Sequence, residues 1–243
     1  MQRVLNYING RLVEPASGQW LDNFEPAAGR VYSLLPDGDE RDVDAAVEAA
    51  QRAFPQWAAS SAERSRVMLC IADLIDANLE KLARAESIDT GKPISLARTL
   101  DIPRAASNIR FFATAILHTH SQVHMTDSTG QTSSGALNYT LRQPRGVAGC
   151  ISPWNLPLYL FTWKIAPALA TGNTVVAKPS EITPMRAYLF GELCMEAGLP
   201  PGVLNVVHGL GPKVGAAIVK HPDIPAITFT GGSKTGAEIA RVA

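Results

Sequence analysis

Short apolar runs alternate with helical segments throughout the second half of the chain. The apolar runs lie at 147–151, 174–177, 203–207 and 226–229. Helical patterns separate them at 158–170, 184–197 and 212–219, and a last one starts at about Ser233. Strands that alternate with helices in this way form parallel sheets, because each helix returns the chain across a face of the sheet. The pattern predicts an α/β fold with helices on both faces of a parallel sheet and ligands at the carboxyl ends of its strands.

The first half of the chain is predicted to be mainly helical. Asn9-Gly10 first indicates a tight hairpin, because both residues tolerate positive φ. Asp39, with Asp42 three residues later, resembles a capping box at the start of a helix. Apolar residues then recur at helical spacing in three segments, 43–55, 67–82 and 93–118. Beyond about Gly130, alternation at 137–141 instead predicts an exposed strand in a protruding arm.

Composition excludes several classes of protein. The 243 residues are 46% hydrophobic and 18% charged, which is apolar enough to build a core. Lys plus Arg and Asp plus Glu both number 22, so no positive excess is present to neutralise nucleic acid or an anionic membrane. The most apolar stretch, 146–177, is too interrupted for a membrane-spanning helix, and the N-terminus has no signal-peptide pattern. We therefore expect neither a nucleic-acid nor a membrane partner.

Cysteine and histidine usage points to a reducing compartment without a metal site. The chain has three isolated cysteines, Cys70, Cys150 and Cys194. They form no CxxC pair, so neither a disulfide framework nor a zinc site is indicated, and a cytoplasmic location is expected. The histidines at 118–124 have no acidic or cysteine ligand at the spacing of a known site, so no metal is predicted.

Two glycine-rich turns each follow an apolar run and precede a helix, at 209–215 and 231–236. Free backbone N–H groups and the helix dipole at such turns can bind phosphate. Neither turn matches the Walker A or GxGxxG pattern. Each therefore fits either a dinucleotide-binding turn or an ordinary connection between strand and helix.

Polar residues follow two of the apolar runs. Lys178 and Glu181 come after 174–177, where a cation and a carboxylate can contact ribose hydroxyls. An acidic group there would repel the 2′-phosphate of NADP and favour NAD, although a solvated turn has the same spacing. Asn155 lies between Pro153 and Pro157 and either caps the local backbone or donates to a developing oxyanion.

Taken together, these segments resemble the N-terminal half of an NAD(P)-dependent aldehyde dehydrogenase. The matching segments are Pro153-Trp154-Asn155, 172–181 and Phe229-Thr230-Gly231. Their order and spacing agree, and the resemblance covers essentially the whole chain. It implies a Rossmann-like NAD-binding domain at 1–122 and 145–243, incomplete at its C-terminus, with an oligomerisation arm at 123–144. The resemblance also implies an aldehyde substrate, a homo-oligomeric full-length form, and a catalytic domain that is absent here.

The resemblance assigns cofactor contacts residue by residue. Ile151, Ser152, Pro153 and Trp154 line the cleft; Lys178 and Glu181, with Ser180 between them, hold the adenosine ribose; Gly211 and Gly215 approach the adenine side; and Phe229, Thr230, Gly231, Gly232 and Gly236 belong to the pyrophosphate turn. Gly232 departs from the family pattern, in which many members have a serine whose hydroxyl also contacts the phosphate. Backbone contacts do not need that hydroxyl, so binding is still expected.

Asn155 matches the family's oxyanion-stabilising asparagine, whose amide donates to the aldehyde oxygen as a cysteine thiolate attacks. In the family, hydride then passes to NAD, and a water activated by glutamate releases the acid. The family cysteine and glutamate follow the last motif matched here, and the final helical pattern has no terminating glycine or proline. We therefore expect a chain that stops inside an element, is inactive alone and binds NAD weakly at most.

The substrate class is suggested by the segment 101–112. It resembles the branch that oxidises 2-aminomuconate and 2-hydroxymuconate semialdehydes, where an arginine at the position of Arg104 binds a substrate carboxylate. A surface ion pair would give Arg104 the same sequence context. Trp163 matches a wall of the family's substrate tunnel, as a core tryptophan also would.

The alternative functions for this chain are a betaine-aldehyde or general aldehyde dehydrogenase and, in another class, a non-catalytic module for NAD binding or subunit interaction.

Overall fold

The computed structural model describes residues 1–127 and 135–243 and has a mixed α/β architecture. The strands are β1 (Gln2–Arg3), β2 (Asn6–Ile8), β3 (Arg11–Val13), β4 (Trp20–Glu25), β5 (Arg30–Pro36), β6 (Val123–Thr126), β7 (Ala136–Tyr139), β8 (Val147–Ile151), β9 (Thr174–Lys178), β10 (Leu204–Val206) and β11 (Ala226–Phe229). The helices are α1 (Glu40–Ala59), α2 (Ser61–Ala77), α3 (Leu79–Thr90), α4 (Ile94–Leu96), α5 (Ile102–Ala115), α6 (Pro157–Ala170), α7 (Met185–Glu196), α8 (Ala216–Lys220) and α9 (Ser233–Val242).

The central sheet has the strand order β11-β8-β9-β10-β2-β3. Strands β11, β8, β9 and β10 are parallel, which confirms the predicted parallel sheet. Cys150 of β8 pairs with both Ala177 and Thr228, so the carboxyl ends of β8, β9 and β11 reach the same edge. The hairpin at Asn9-Gly10 is confirmed, with positive φ at both residues, and it adds β2 antiparallel to β10.

Helices cover both faces of this sheet, as predicted. Val175 and Ala177 of β9 belong to a large core with helices α2, α5, α6 and α7, whereas Val176 belongs to a smaller core with α1 and α8. A strand with apolar neighbours on both sides needs apolar residues at every position. This explains why the runs in the second half of the sequence are continuous rather than alternating.

Two helix ends differ from the predictions. The capping box of Asp39 and Asp42 is confirmed, but α1 continues past Pro55 to Ala59. Proline removes only one N–H there, and Trp57 fixes the last turn by donating from Nε1 to the Leu169 carbonyl at 3.0 Å. The pattern at 67–82 is two helices, because Asn78 ends α2 and both its backbone N–H and its side-chain amide donate to the Leu74 carbonyl.

The predicted helix at 93–118 is interrupted, although the first half of the chain is mainly helical, as predicted. Ala97–Asp101 forms a π-helical turn between α4 and α5, and Ile116–His118 is a 3₁₀ turn. A separate three-stranded sheet with the order β1-β5-β4 was not predicted. Only the pairing of β1 with β5 joins residues far apart in the chain, such as Gln2 with Ser33; β4 and β5 form a local hairpin that the sequence analysis missed.

The exposed strand expected at 137–141 is β7, which pairs antiparallel with β6. Part of the predicted arm, including the turn at Ser133-Ser134, lies outside the described residues. The domain boundaries at 122 and 145 stay a prediction. Across the described parts of the chain, none of the helices has both the length and the apolar character needed to cross a membrane.

Candidate functional site

A cleft of about 530 Å³ opens at the carboxyl ends of β8, β9 and β11. It brings together every predicted cofactor residue except Gly236: Ile151, Ser152, Pro153, Trp154, Lys178, Ser180, Glu181, Gly211, Gly215, Phe229, Thr230, Gly231 and Gly232. Residues from four separate stretches of sequence meet here because parallel strands end at one edge of the sheet. Gly236 lies behind the Phe229 ring, which a Cβ added at Gly236 would meet at 3.5 Å.

The π-helical turn Gly211–Gly215 and the helices α8 and α9 supply the rest of the wall, and the sequence patterns alone did not indicate these residues. They are Pro212, Ala216, Val219, Lys220, Thr235, Glu238, Ile239 and Val242. Those from α9 recur at intervals of three and four residues, which places them on one face of the helix. That periodicity is visible in the sequence, but only the sheet topology shows that this face borders the cleft.

Lys178 and Glu181 form an ion pair at the edge of the cleft. Lys178 Nζ lies 2.9 Å from Glu181 Oε2 and donates to the Pro179 carbonyl at 3.0 Å. The lysine side chain is 3% exposed and the glutamate side chain 34% exposed. Burial lowers the pKa of Lys178, and the Glu181 charge opposes that shift. The pair thus presents a solvent-accessible carboxylate fixed by a buried ammonium.

The turn from Phe229 into α9 leaves helix N–H groups free. Gly232 is the residue before α9, its backbone is extended, and no side chain caps the helix. A Cβ added at Gly232 or at Gly211 would meet nothing within 4 Å, so both glycines border open space. An uncapped helix N-terminus beside open space is a favourable position for an anion. At the same turn, Thr230 contacts the ammonium of the buried Lys164.

Asn155 lies on the loop between β8 and α6 and its side chain is exposed. Its backbone carbonyl accepts a hydrogen bond from Lys92 Nζ at 3.3 Å. Within the described residues, its side-chain amide has no hydrogen-bond partner. Asn155 itself does not line the cleft, but its neighbour Trp154 does, so the amide is free to donate to a ligand beside the cleft.

Beneath that loop lies a buried ion-pair cluster of Glu86, Asp89, Lys92, Asp101 and Arg186. Lys92 Nζ lies 2.5 Å from Asp101 and 3.3 Å from Glu86, and Arg186 lies 2.7 Å from Glu86 and 3.5 Å from Asp89. Burial raises the pKa of Glu86, and the charges of Arg186 and Lys92 oppose the rise. No sequence pattern indicated this cluster.

Arg104 and Trp163 do not line the cleft. Arg104 Nη2 donates to the Tyr159 hydroxyl at 3.1 Å, and its guanidinium lies 5.2 Å from the centre of the Tyr159 ring. Tyr159 and Phe112 both pack edge-to-face on Trp163, which is 48% exposed. Among the described residues no carboxylate pairs with Arg104. A half-exposed aromatic surface with an unneutralised cation thus flanks the Asn155 loop.

None of the three cysteines lines the cleft. Cys150 and Cys194 are fully buried, and burial raises the pKa of the Cys150 thiol to about 12 and that of Cys194 still further. Cys70 lies on α2. A nucleophilic thiolate needs a depressed pKa and access to substrate, so neither buried cysteine can serve.

Comparison with known proteins identifies the class that has this site. The sequence profile described as "Aldehyde dehydrogenase family" matches residues 12–243. The chain belongs to the aldehyde dehydrogenase family.

Individual relatives carry more specific names. A 2-aminomuconic semialdehyde dehydrogenase of Danio rerio is 55% identical over 95% of this chain and 46% of its own length. A 2-hydroxymuconic semialdehyde dehydrogenase of Pseudomonas sp. (strain CF600) is 46% identical over 100% of this chain and 50% of its own length. The NAD+ complex of an aldehyde dehydrogenase from Bacillus cereus superposes with a TM-score of 0.93 at 40% identity, covering 99% of this chain and 48% of that one. The chain thus spans about half the length of the relatives that it matches.

Proposed function

We propose that this chain forms the NAD-binding and oxyanion-stabilising part of an aldehyde dehydrogenase that oxidises a muconate-type semialdehyde to the acid. The observation that carries the proposal is the cleft itself. It unites the Lys178–Glu181 pair, the uncapped N-terminus of α9 and the loop of Asn155 at one edge of the sheet.

The residues present fit a dinucleotide. The Lys178–Glu181 pair suits ribose hydroxyls, because the carboxylate accepts and the ammonium donates hydrogen bonds. The turn at Gly231-Gly232 suits a pyrophosphate, and the apolar faces of α8 and α9 suit an adenine ring. Glu181 also favours NAD over NADP, because its charge repels a 2′-phosphate.

The chemistry assigned to this chain is positioning and charge stabilisation. The Asn155 amide donates to the aldehyde oxygen while negative charge develops on that oxygen during attack by a cysteine thiolate. When bound, NAD supplies the acceptor for the hydride that leaves the aldehyde carbon. Because no cysteine lies at the cleft, we propose that the 243 residues alone bind NAD but do not turn over aldehyde.

Arg104 supports the muconate class of substrate. Its exposed guanidinium is held by Tyr159 and has no carboxylate partner in the described part of the chain, so it can bind a substrate carboxylate through two parallel hydrogen bonds. The names of the relatives agree with a substrate that carries such a group. A simple aliphatic aldehyde would leave Arg104 unused.

The two-stranded arm supports a homo-oligomer. Val123, Met125, Leu137 and Tyr139 alternate with polar residues along the paired strands β6 and β7, so they share one face, and all four are more than half exposed. We propose that a second copy of the chain covers this apolar face. A cytoplasmic location completes the proposal, because all three cysteines are free thiols.

Calorimetric titration of the 243-residue chain with NAD+ and with NADP+ tests cofactor binding. We expect tighter binding of NAD+, and Glu181→Gln should weaken it roughly tenfold and narrow the difference between the two cofactors. Glu48→Gln, at an exposed ion pair with Arg52 away from the cleft, is the matched control. Binding that is undetectable, or that Glu181→Gln leaves unchanged, would refute this part of the proposal.

Turnover is tested in a longer polypeptide that joins this chain to a cysteine-bearing catalytic segment of the family. Asn155→Ala should lower kcat roughly 100- to 1,000-fold while the affinity for NAD+ stays the same. Arg104→Ala should lower kcat/KM for a carboxylated semialdehyde far more than for an uncarboxylated aldehyde. Equal losses on both aldehydes would remove the carboxylate-binding role of Arg104, and unchanged kcat would remove the oxyanion role of Asn155.

A further inference from the structure

Lys92 connects the Asn155 loop to the interior of the protein. Its Nζ lies 3.3 Å from the Asn155 carbonyl, 2.5 Å from Asp101 Oδ2 and 3.3 Å from Glu86 Oε1. The lysine side chain is 12% exposed and both carboxylates are fully buried. One ammonium group therefore joins a backbone carbonyl of the candidate site to two interior charges.

The backbone of Lys92 is itself fixed. Gly91 caps the C-terminus of α3, and its left-handed conformation turns the chain away from the helix axis. The Lys92 carbonyl accepts from Ser87 Oγ at 2.7 Å, and its N–H donates to Thr90 Oγ1 at 3.3 Å. Lys92 is thus fixed at both ends, its backbone by this turn and its ammonium by the buried carboxylates.

Among the described residues, few hydrogen bonds fix the Asn155 loop that Lys92 contacts. Asn155 lies between the end of β8 and the start of α6, and no side chain caps α6. At 3.3 Å the Lys92 contact is longer than the strongest charge-assisted hydrogen bonds, but the positive charge of the donor still favours it. The Lys92 contact therefore limits the positions that the Asn155 main chain can adopt.

The other end of the contact lies beside Arg104. Asp101 ends the π-helical turn that leads into α5, and Arg104 is in the first turn of that helix. Asp101 Oδ1 is buried without a hydrogen-bond partner in the described residues, and Lys92 is the cation that pairs with this carboxylate. Lys92 thereby ties together the two segments that carry Asn155 and Arg104.

We propose that Lys92 is a positioning residue that holds the main chain of Asn155 so that its amide faces the reacting carbonyl. This inference rests on the oxyanion role proposed for Asn155. It adds that the asparagine is placed by a lysine far away in the sequence. Asp101 and Glu86 hold the lysine in turn.

The direct test follows the loop in the 243-residue chain by NMR. Lys92→Met keeps most of the side-chain volume but removes the cation. Lys92→Met with Asp101→Asn also removes the carboxylate that the first variant strands, so we expect the double variant to fold even if the single one does not. We expect the Asn155 carbonyl and Leu156 N–H resonances to shift. Amide exchange at Leu160, which donates to the Leu156 carbonyl at 2.8 Å, should become roughly tenfold faster.

Two further variants separate positioning from general structure. Lys81→Met removes another lysine close to Lys92 in the chain, one in an exposed pair with Glu192, and should leave these resonances unchanged. Lys92→Arg keeps the cation and should restore part of the wild-type exchange rate. Unchanged Asn155 resonances in both Lys92→Met variants would overturn the proposal.

In the longer active polypeptide, the Lys92 variants should lower kcat at least tenfold while KM for NAD+ stays the same. The two proposals fail separately. If Asn155→Ala leaves kcat unchanged, the oxyanion role fails, whatever Lys92 does. If Asn155→Ala lowers kcat but the Lys92 variants do not, only the positioning role of Lys92 fails.

Discussion

The cleft and the buried ion-pair cluster lie side by side but are built from different materials. The cleft is formed by glycine turns, strand ends and short helix faces, with one ion pair at its edge. The cluster is formed by long charged side chains, three carboxylates and two cations, that meet in the interior. The first region leaves space for a ligand, whereas the second leaves almost none.

This difference predicts opposite responses to substitution. In the cluster, removing one charge strands another in a medium of low polarity, which is costly to the fold. In the cleft, a small added group occupies ligand space and leaves the fold intact. Stability should therefore depend mainly on the cluster, and ligand affinity mainly on the cleft.

The largest expected effect is on stability, from Arg186→Met. Arg186 is 1% exposed and pairs with the buried carboxylates of Glu86 and Asp89, so its loss should cost about 3–5 kcal/mol of unfolding free energy. Urea denaturation measures it. Lys81→Met, which breaks an exposed pair, should cost less than about 1 kcal/mol. Equal losses in the two variants would contradict the importance of the buried cluster.

The next effect is the response of the sheet region to acid. His208 follows β10, is fully buried, and burial lowers its pKa from 6.5 to about 3, with a smaller contribution from the Lys178 charge. The unfolded chain binds a proton below pH 6.5 that the folded chain does not, so stability is lost as the pH falls from 6.5 towards 3. Between pH 7 and pH 5 the loss is about 2 kcal/mol, and His208→Leu should remove it. Urea denaturation of the wild type and of His208→Leu at pH 7 and pH 5 measures this loss. An identical pH dependence in the two proteins would show that His208 is not its source.

Glu86 should respond in the opposite direction. Burial raises the pKa of Glu86 above the ordinary 4.5, so the folded chain holds this proton more tightly than the unfolded chain. The stability contribution of Glu86 therefore declines as the pH rises above 4.5. Glu86 and His208 thus differ in the sign of their contribution to the pH dependence of stability.

The smallest effect separates affinity from stability by a pair of glycines. Gly211→Ala adds a methyl group to the open side of the cleft and should weaken NAD+ roughly tenfold with little change in stability. Gly202 has φ +85°, and a Cβ there would lie 2.3 Å from the Ala49 carbonyl oxygen, away from the cleft. Gly202→Ala should therefore cost more than about 1 kcal/mol of stability but leave the affinity of the folded protein unchanged. Calorimetry measures the affinity for NAD+ and denaturation the stability of both variants. If either variant changed both affinity and stability, the proposed separation of cleft and fold would be contradicted.

The regions also differ in how far the sequence predicts them. The strands of the parallel sheet and the glycine turns are encoded by short local patterns, so residues such as Lys178 and Gly231 are assigned to strand ends from the sequence alone. The geometry then shows that they share a cleft. Their roles in binding NAD stay a prediction.

What the sequence could not show depends on contacts between distant residues. Lys92 contacts Asn155 across 63 positions, and Met185 N–H donates to Asp89 across 96. The continuation of α1 past Pro55 likewise depends on Trp57 reaching the Leu169 carbonyl. Such contacts have no local signature, because each partner alone resembles an ordinary surface residue or helix end.

Hydrogen exchange of the 243-residue chain with and without NAD+ tests most directly whether the cleft is the cofactor site. We expect slower exchange in the segments at 151–154, 178–181 and 229–236, and no change in the ion-pair cluster around Glu86. Protection confined to other segments, or none at saturating NAD+, would contradict the assignment of the cleft as the cofactor site.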